Sequence, residues 1–407
     1  MKRSATIATL VLFLLSAVQV PEALSYSTDS TVPLAGGCPQ PDRWNLSLAS
    51  PLNRRWSTSL STIGVTILTV AAQNTPAQLN EIEQVISASF GVWAGVTGTT
   101  FNGTANPGFI APLARTSVVS ACSNDQGSNA DGLNTICFNQ SSTAFTTGVL
   151  AFTRVITANA AGASVGASGP AAFAGQILDA DTLFRNDRQV LFATPDALAT
   201  PQGQGAYDLE SLLAHELGHW FGLDHSAVWR ALMFPFSPPP GQFLGDRPTP
   251  QTPDGPLSDD DRAGIRSLYP DPGDTMNVGS ISGRILSANP FALANIPAPA
   301  TSSFVTGIFG AHVVALDSDS GAVAAAALGG WSCNATSQRL QFDGSYQIQR
   351  LPVNHNYTIY TEPMQGLVTP ANFSDALADL CSKNSPSPCS TPAANTNFNV
   401  RIRPASP

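Results

Sequence analysis

The sequence predicts an α+β chain in two parts, mixed helix and strand up to about residue 270 and all-β beyond it. Three observations carry that prediction. The β-branched stretch Val65-Thr66-Ile67-Leu68-Thr69-Val70 precedes a long run with apolar residues at helical spacing, Leu79, Ile82, Ile86, Phe90 and Trp93. A second helical run holds three of the five histidines of the 407-residue chain. After Pro270-Asp271-Pro272-Gly273-Asp274 the pattern changes to short alternating stretches separated by Gly, Asn and Asp.

Taken in order, Lys2 and Arg3 precede an apolar run from about Ala8 to Val18 and then Ala23-Leu24-Ser25. This is the pattern of a secretory signal peptide, residues 1–25, with cleavage expected after about Ser25. The run is too short to span a bilayer, and no later stretch has the length. An exported protein without a membrane span is expected. Residues 26–54 form a Ser/Pro/Gly-rich extension. Arg55-Trp56 through Val70 read as the first strand. Thr75 and Pro76 then supply an N-cap and a first-turn proline for the long helix.

Asp131 to Phe138 reads as a turn entering a strand, Gly148 to Thr153 as another, and Ile177 to Phe184 as the next. Asp208 caps the histidine-bearing helix, whose apolar face is Leu209, Leu212, Leu213 and Leu217. A Pro/Gly-rich loop, 235–256, leads to Ser258 and Asp261, which form a capping box for a helix reaching Tyr269. The acidic triplet Asp259-Asp260-Asp261 suits a helix N-terminus and reads as structural. Residues 271–276 are a linker. Beyond it, Gly279–Leu286, Ala311–Leu316, Phe342–Ile348, Leu351-Pro352 and Tyr357–Tyr360 read as short strands. His312 and His355, beside those strands, read as packed or surface residues.

Composition narrows the function. Hydrophobic residues are 43% of the chain, enough for packed cores. Charged residues are 12%, the net charge is −9, and lysine occurs only as Lys2 and Lys383, which excludes a nucleic-acid binder. Six cysteines in an exported chain favour disulfides. Cys122 and Cys137 enclose a Gly/Asn/Asp-rich loop and pair best; Cys381 with Cys389 is the next pair, leaving Cys38 and Cys333.

The chemistry sits in His215-Glu216-Leu217-Gly218-His219-Trp220-Phe221-Gly222-Leu223-Asp224-His225. His215 and His219, four apart on a helix, project from one face and can bind one ion. Gly222 suits the point where the helix stops and the chain turns with positive φ, returning His225 as a third nitrogen. Three protein ligands leave one zinc position for water, the arrangement of a catalytic site. Glu216, one step round the helix, can take that water's proton without ligating the ion.

Met233 follows His225 within Ala231-Leu232-Met233-Phe234-Pro235. With His225-Ser226 at the same interval, this stretch resembles the metzincin zinc endopeptidases, and among them the matrixins. The resemblance covers about residues 55–270. It implies a twisted, mostly parallel sheet with long helices, one catalytic zinc, and hydrolysis of peptide bonds in protein substrates. Met233 would lie beneath the zinc as a packing floor. Gly148, Val149, Leu150 and Ala151 would belong to the edge strand that pairs with extended substrate. Pro235 and Phe236, with Ser237 where the family usually has tyrosine, would wall the specificity pocket. The second, structural zinc of animal matrixins is not expected, because no histidine precedes His215; any further ion would be calcium on oxygen ligands such as Asp179 or Asp181.

Cys38 has three readings. Cys38-Pro39-Gln40-Pro41-Asp42 is similar to the family's latency motif C-G-x-P-D but lacks its glycine and preceding P-R. Leu34-Ala35-Gly36-Gly37-Cys38 approaches a lipoprotein signal. A plain disulfide is the third. Residues 277–407 resemble, through Asp343-Gly344-Ser345-Tyr346-Gln347-Ile348 and Leu351-Pro352, a carboxypeptidase-regulatory-like (transthyretin-like) β-sandwich. The rival to an enzyme is a secreted binding protein that keeps its metal for stability. Natural substrate and oligomeric state stay open.

Overall fold

Thr75 accepts a hydrogen bond from the Gln78 amide, Pro76 fixes the first turn, and helix α1 runs over Pro76–Ala94. Ile82, Ile86, Phe90 and Trp93 are buried on one face and Leu79 packs against it, the stripe expected from the sequence. In this computed structural model the described residues are 28–31, 33, 38–46, 54–57, 66–100, 114–116, 131–140, 145, 148–166, 168–186, 190–245, 255–274, 277–286, 311–330, 332–334, 336, 339–341 and 343–362. The signal-peptide reading and Cys122, Cys381 and Cys389 lie outside them.

Up to the linker the strands are β1 (Ser30–Thr31), β2 (Gln40–Pro41), β3 (Arg54–Ser57), β4 (Ile67–Leu68), β5 (Ala114–Thr116), β6 (Asn134–Gln140), β7 (Ala151–Thr157), β8 (Ile177–Arg185), β9 (Phe192–Ala193) and β10 (Tyr207–Asp208). The helices after α1 are α2 (Pro195–Leu198), α3 (Leu209–Trp220) and α4 (Asp259–Leu268). The main sheet has the order β5-β3-β6-β8-β7, parallel except for the antiparallel β7/β8 edge. β8 is buried on both faces, whereas every residue of β7 is half-buried, as an edge strand should be. The stretch expected as one first strand is two pieces: β3 joins the main sheet and β4 joins β9 and β10 in a small parallel sheet. The strand expected at Gly148 begins at Ala151 and runs on to Thr157.

Helices α1 and α3 pack on this sheet and on each other. The Trp93 indole donates to the Ala214 carbonyl at 2.8 Å and Ser89 to that of Glu210 at 3.2 Å. Trp220, at the end of α3, donates its indole to Ala180 of β8 at 3.0 Å. Trp56, Phe138, Phe184 and Phe192 continue the core in aromatic contacts with centroid separations of 5.0–6.2 Å.

Beyond the linker come β11 (Val278–Arg284), β12 (Ala311–Asp317), β13 (Val323–Gly329), β14 (Ser332–Asn334), β15 (Arg339–Gln341), β16 (Ser345–Pro352) and β17 (Tyr357–Glu362). They form antiparallel sheets β11-β16, β13-β12-β17 and β14-β15. Val313, Ala315, Ile348 and Leu351 share one apolar cluster with Ile281, Ile359 and, from α4, Ala263. Val314 and Ala326, on the other face, meet Val228 and Ala231 of the segment after His225. The β strands therefore rest directly on the histidine-bearing half of the chain. Among the described residues, no helix is long and apolar enough to cross a membrane.

Cys38 is joined to Cys333, across 295 residues of sequence. This corrects the latency reading: a cysteine held in that bond has no thiolate to offer a metal, and the motif's missing glycine fits a segment serving another purpose. Cys137 is also disulfide-bonded. Replacing Cys38 and Cys333 together by serine should lower stability by about 2–4 kcal/mol, through the loop the bond closes in the unfolded chain. Denaturant titration reads this directly, and proteolysis should show no activation in the same variant.

Candidate active site

Asp208 accepts the Ser211 amide at 2.7 Å and opens α3, and His215 and His219 follow on one face of that helix. The helix ends where Gly222 takes φ +97°. A Cβ there would also stand 2.0 Å from the Asp42 carbonyl oxygen. The last carbonyls of the helix, which have no partner within it, are taken up from outside: Trp220 O by the Trp44 indole at 2.8 Å and Phe221 O by the Tyr269 hydroxyl at 2.7 Å.

The turn returns His225 to the first two histidines. Their ring centroids lie 5.0, 5.4 and 4.7 Å apart, and one ligand nitrogen from each falls within 4.8 Å of the others. Nδ1 of His215 donates to the Leu232 carbonyl at 2.6 Å and Nδ1 of His219 to that of Leu223 at 2.8 Å. Those bonds fix the tautomer and leave Nε2 to converge. Burial, then the neighbouring His225, holds the His215 imidazole down at about 3; the same causes hold His219 well below its usual range. Two imidazoles kept neutral beside a third form a donor set that suits zinc.

Glu216 is buried, and burial pushes its carboxyl up to about 8. The Thr153 hydroxyl, 2.9 Å from Oε2, opposes that shift by hydrogen bonding to the ionised form. Thr153 also lies 2.9 Å from the Glu216 carbonyl oxygen and 3.0 Å from the Thr182 hydroxyl, so the carboxylate is fixed to the edge strand.

Met233 lies under the histidine helix: a Cβ on Gly218 would fall 2.1 Å from its sulfur. Its segment is held by one carboxylate. Asp261 accepts the amides of Leu232 (2.8 Å) and Met233 (3.1 Å) while closing the expected capping box with Ser258. Asp260 beside it accepts from Ser226 Oγ and from the Ala326 amide of β13, both at 2.6 Å. Burial, then repulsion from Asp261, pushes Asp260 up to about 6.

The histidines and Glu216 open onto a cavity of about 1010 Å³. The candidates Gly148, Val149, Leu150, Ala151, Pro235 and Phe236 all line it, as does Ser237. Asp29, Ser30, Thr31 and Asp42 line it as well, which sequence reasoning missed. The Asp29 amide donates to Gly222 O at 3.0 Å and the Thr31 hydroxyl meets that of Thr157 at 2.7 Å. No local signal marks residues 28–31; only the tertiary fold brings them here. Asp179 and Asp181 accept the amides of Gly132 (3.1 Å) and Thr135 (2.8 Å), work that ties β6 to β8. His312 is buried, with Nδ1 2.8 Å from Glu362, and His355 sits 2.8 Å from Asp317 in an exposed turn.

Residues 163–270 match the matrixin family model, peptidase family M10. This part of the chain is matrixin-like. The matrixin-like segment holds β8, α3, the three histidines, Met233 and α4. Metalloendoproteinase 1 of Glycine max is 44% identical over 64 residues, 16% of this chain and 17% of that protein. The chain thus spans about a sixth of the length of the curated relative it matches.

Gly222→Ala should cost about 2–5 kcal/mol, combining positive-φ strain with overpacking against Asp42. Thermal unfolding measures the loss. Because the turn carries His225, zinc affinity should fall with it.

Proposed function

We propose that the protein is an exported zinc endopeptidase acting on extended polypeptide segments. The observation that carries this reading is a buried glutamate fixed to an edge strand and set beside three converging imidazoles. His215, His219 and His225 would hold the zinc, which when bound supplies a Lewis acid and water acidified towards neutrality. Glu216 takes a proton on its carboxylate from the attacking water and delivers it to the nitrogen of the leaving amine. Thr153 keeps the carboxylate oriented through both transfers.

Substrate binds along β7. Among the described residues it is the end strand of the main sheet, and Ala151 to Val155 line the cavity, so an extended peptide can add as a further strand. Pro235, Phe236 and Ser237, which line the same cavity, then receive a side chain. The Lys2-Arg3 start, apolar run and Ala23-Leu24-Ser25 support export. The strands beyond residue 277 support a sandwich of the carboxypeptidase-regulatory-like kind, through the Asp343–Ile348 run at the start of β16.

Hydrolysis of casein tests the reading. A zinc chelator should abolish it, and added zinc should restore it. Glu216→Ala should retain zinc and lose about 10²–10⁴-fold in rate. Near-normal turnover in Glu216→Ala would overturn the mechanism. Zinc binding without hydrolysis in the unaltered protein would favour the binding-protein alternative.

A further inference from the structure

The contact between β13 and Asp260 has a chemical consequence for the metal site. Among the described residues β13 is an edge strand, paired with β12 in the order β13-β12-β17. In such a strand, residues whose amides are not used by the neighbour turn them outward. The outward amide of Ala326 would meet water, but Val228, Ala231 and Val314 cluster with Ala326 and bury it. A buried amide needs an acceptor, and Asp260 Oδ1 supplies it at 2.6 Å. The other oxygen of the same carboxylate takes the Ser226 hydroxyl at 2.6 Å.

Ser226 follows His225 directly. Its amide donates to Met233 O at 2.8 Å, and its Oγ accepts from the Val228 amide at 3.1 Å. That one hydroxyl therefore organises the turn between the third histidine and Met233. A second, covalent tie runs from the same β half: Cys333 in β14 holds Cys38, whose segment carries Trp44 to the end of α3. The β strands grip the histidine helix and its return turn from both ends.

We propose that β13 belongs to the metal-site scaffold: the Ala326 amide, through Asp260 and Ser226, positions His225. Asp260 is a positioning residue that touches neither substrate nor metal. The proposal rests on the metal-site reading given above and gives the strands beyond residue 277 a role in assembling the site.

The test uses the full chain with Ser226→Ala, Ala326→Pro and the double variant. Proline at an outward amide of an edge strand removes the donor while sparing the ladder to β12. The readouts are zinc affinity by chelator competition and the visible spectrum of the cobalt-substituted protein, which reports how the imidazoles are arranged. Each single variant should lose on the order of 10–100-fold in zinc affinity and alter the cobalt spectrum. The double variant should lose no more than the worse single, since one chain of contacts is broken either way. A folded Ala326→Pro with normal zinc affinity and an unchanged spectrum overturns the proposal. Should that variant fail to fold, Asp260→Ala and Asp260→Asn carry the comparison: alanine should alter the spectrum most and asparagine, which keeps one acceptor oxygen, less, and an unchanged spectrum in both overturns the proposal. Casein left intact by an unaltered protein that still binds zinc and cobalt would sink the peptidase reading alone.

Discussion

The Nδ1 atoms of His215 and His219 donate to two carbonyls, Leu232 O and Leu223 O, that belong to the chain returning after helix α3. The metal-binding geometry therefore depends on where that return segment lies. A helix can present two imidazoles on one face unaided, but it cannot fix their tautomers or bring up a third. Those tasks fall to thirteen residues of irregular backbone, from Phe221 to Met233, which have no ladder of their own. Two of their amides are satisfied by a side chain from a distant helix. Asp261 takes those of Leu232 and Met233, and Asp260 takes the hydroxyl of Ser226.

Burying two adjacent carboxylates is costly, and the rise of both pKa values under burial registers that cost. It is offset in two ways. Asp260 accepts two hydrogen bonds and Asp261 four, and both sit in the first turn of α4, where the helix dipole favours negative charge. Neutral side chains could replace one of these contacts but not the set, because a carboxylate offers two oxygens and no donor to compete for them. The pair thus converts the rigidity of a regular helix into order in an irregular turn. The turn in turn orders the imidazoles.

The cleft follows the same logic of borrowed order. Its floor is the histidine helix and one wall is the edge strand β7, held to Glu216 by Thr153. The end near Thr157 is lined by β1, a two-residue strand kept in place by β2 and by the Asp42 carboxylate that accepts from Thr31 at 2.8 Å, while Asp29 just before it donates to Gly222 O. Residues near the start of the described chain thereby share a surface with residues two hundred positions later.

What the sequence made legible was whatever is set by local periodicity. The spacing of His215, His219 and Gly222, the α1 stripe and the Ser258 cap depend on one helix at a time, and each stands where the pattern placed it. The long-range partners were not legible. Cys38 and Cys333 looked like remainders because pairing by nearness in sequence assumes short loops, whereas this bond joins the two halves of the chain. The acidic triplet read as a cap, and Asp261 is one, but nothing in a helix start announces that the same carboxylates will reach a turn some thirty residues earlier. The run Val323 to Leu328 illustrates the limit most clearly. A strand covered on one face should alternate, yet this one is apolar throughout, because one face meets the β half's own core and the other meets the segment after His225. Missing alternation was therefore itself a signal that a second layer had to exist. Its identity, the turn beneath the metal site, could come only from the fold.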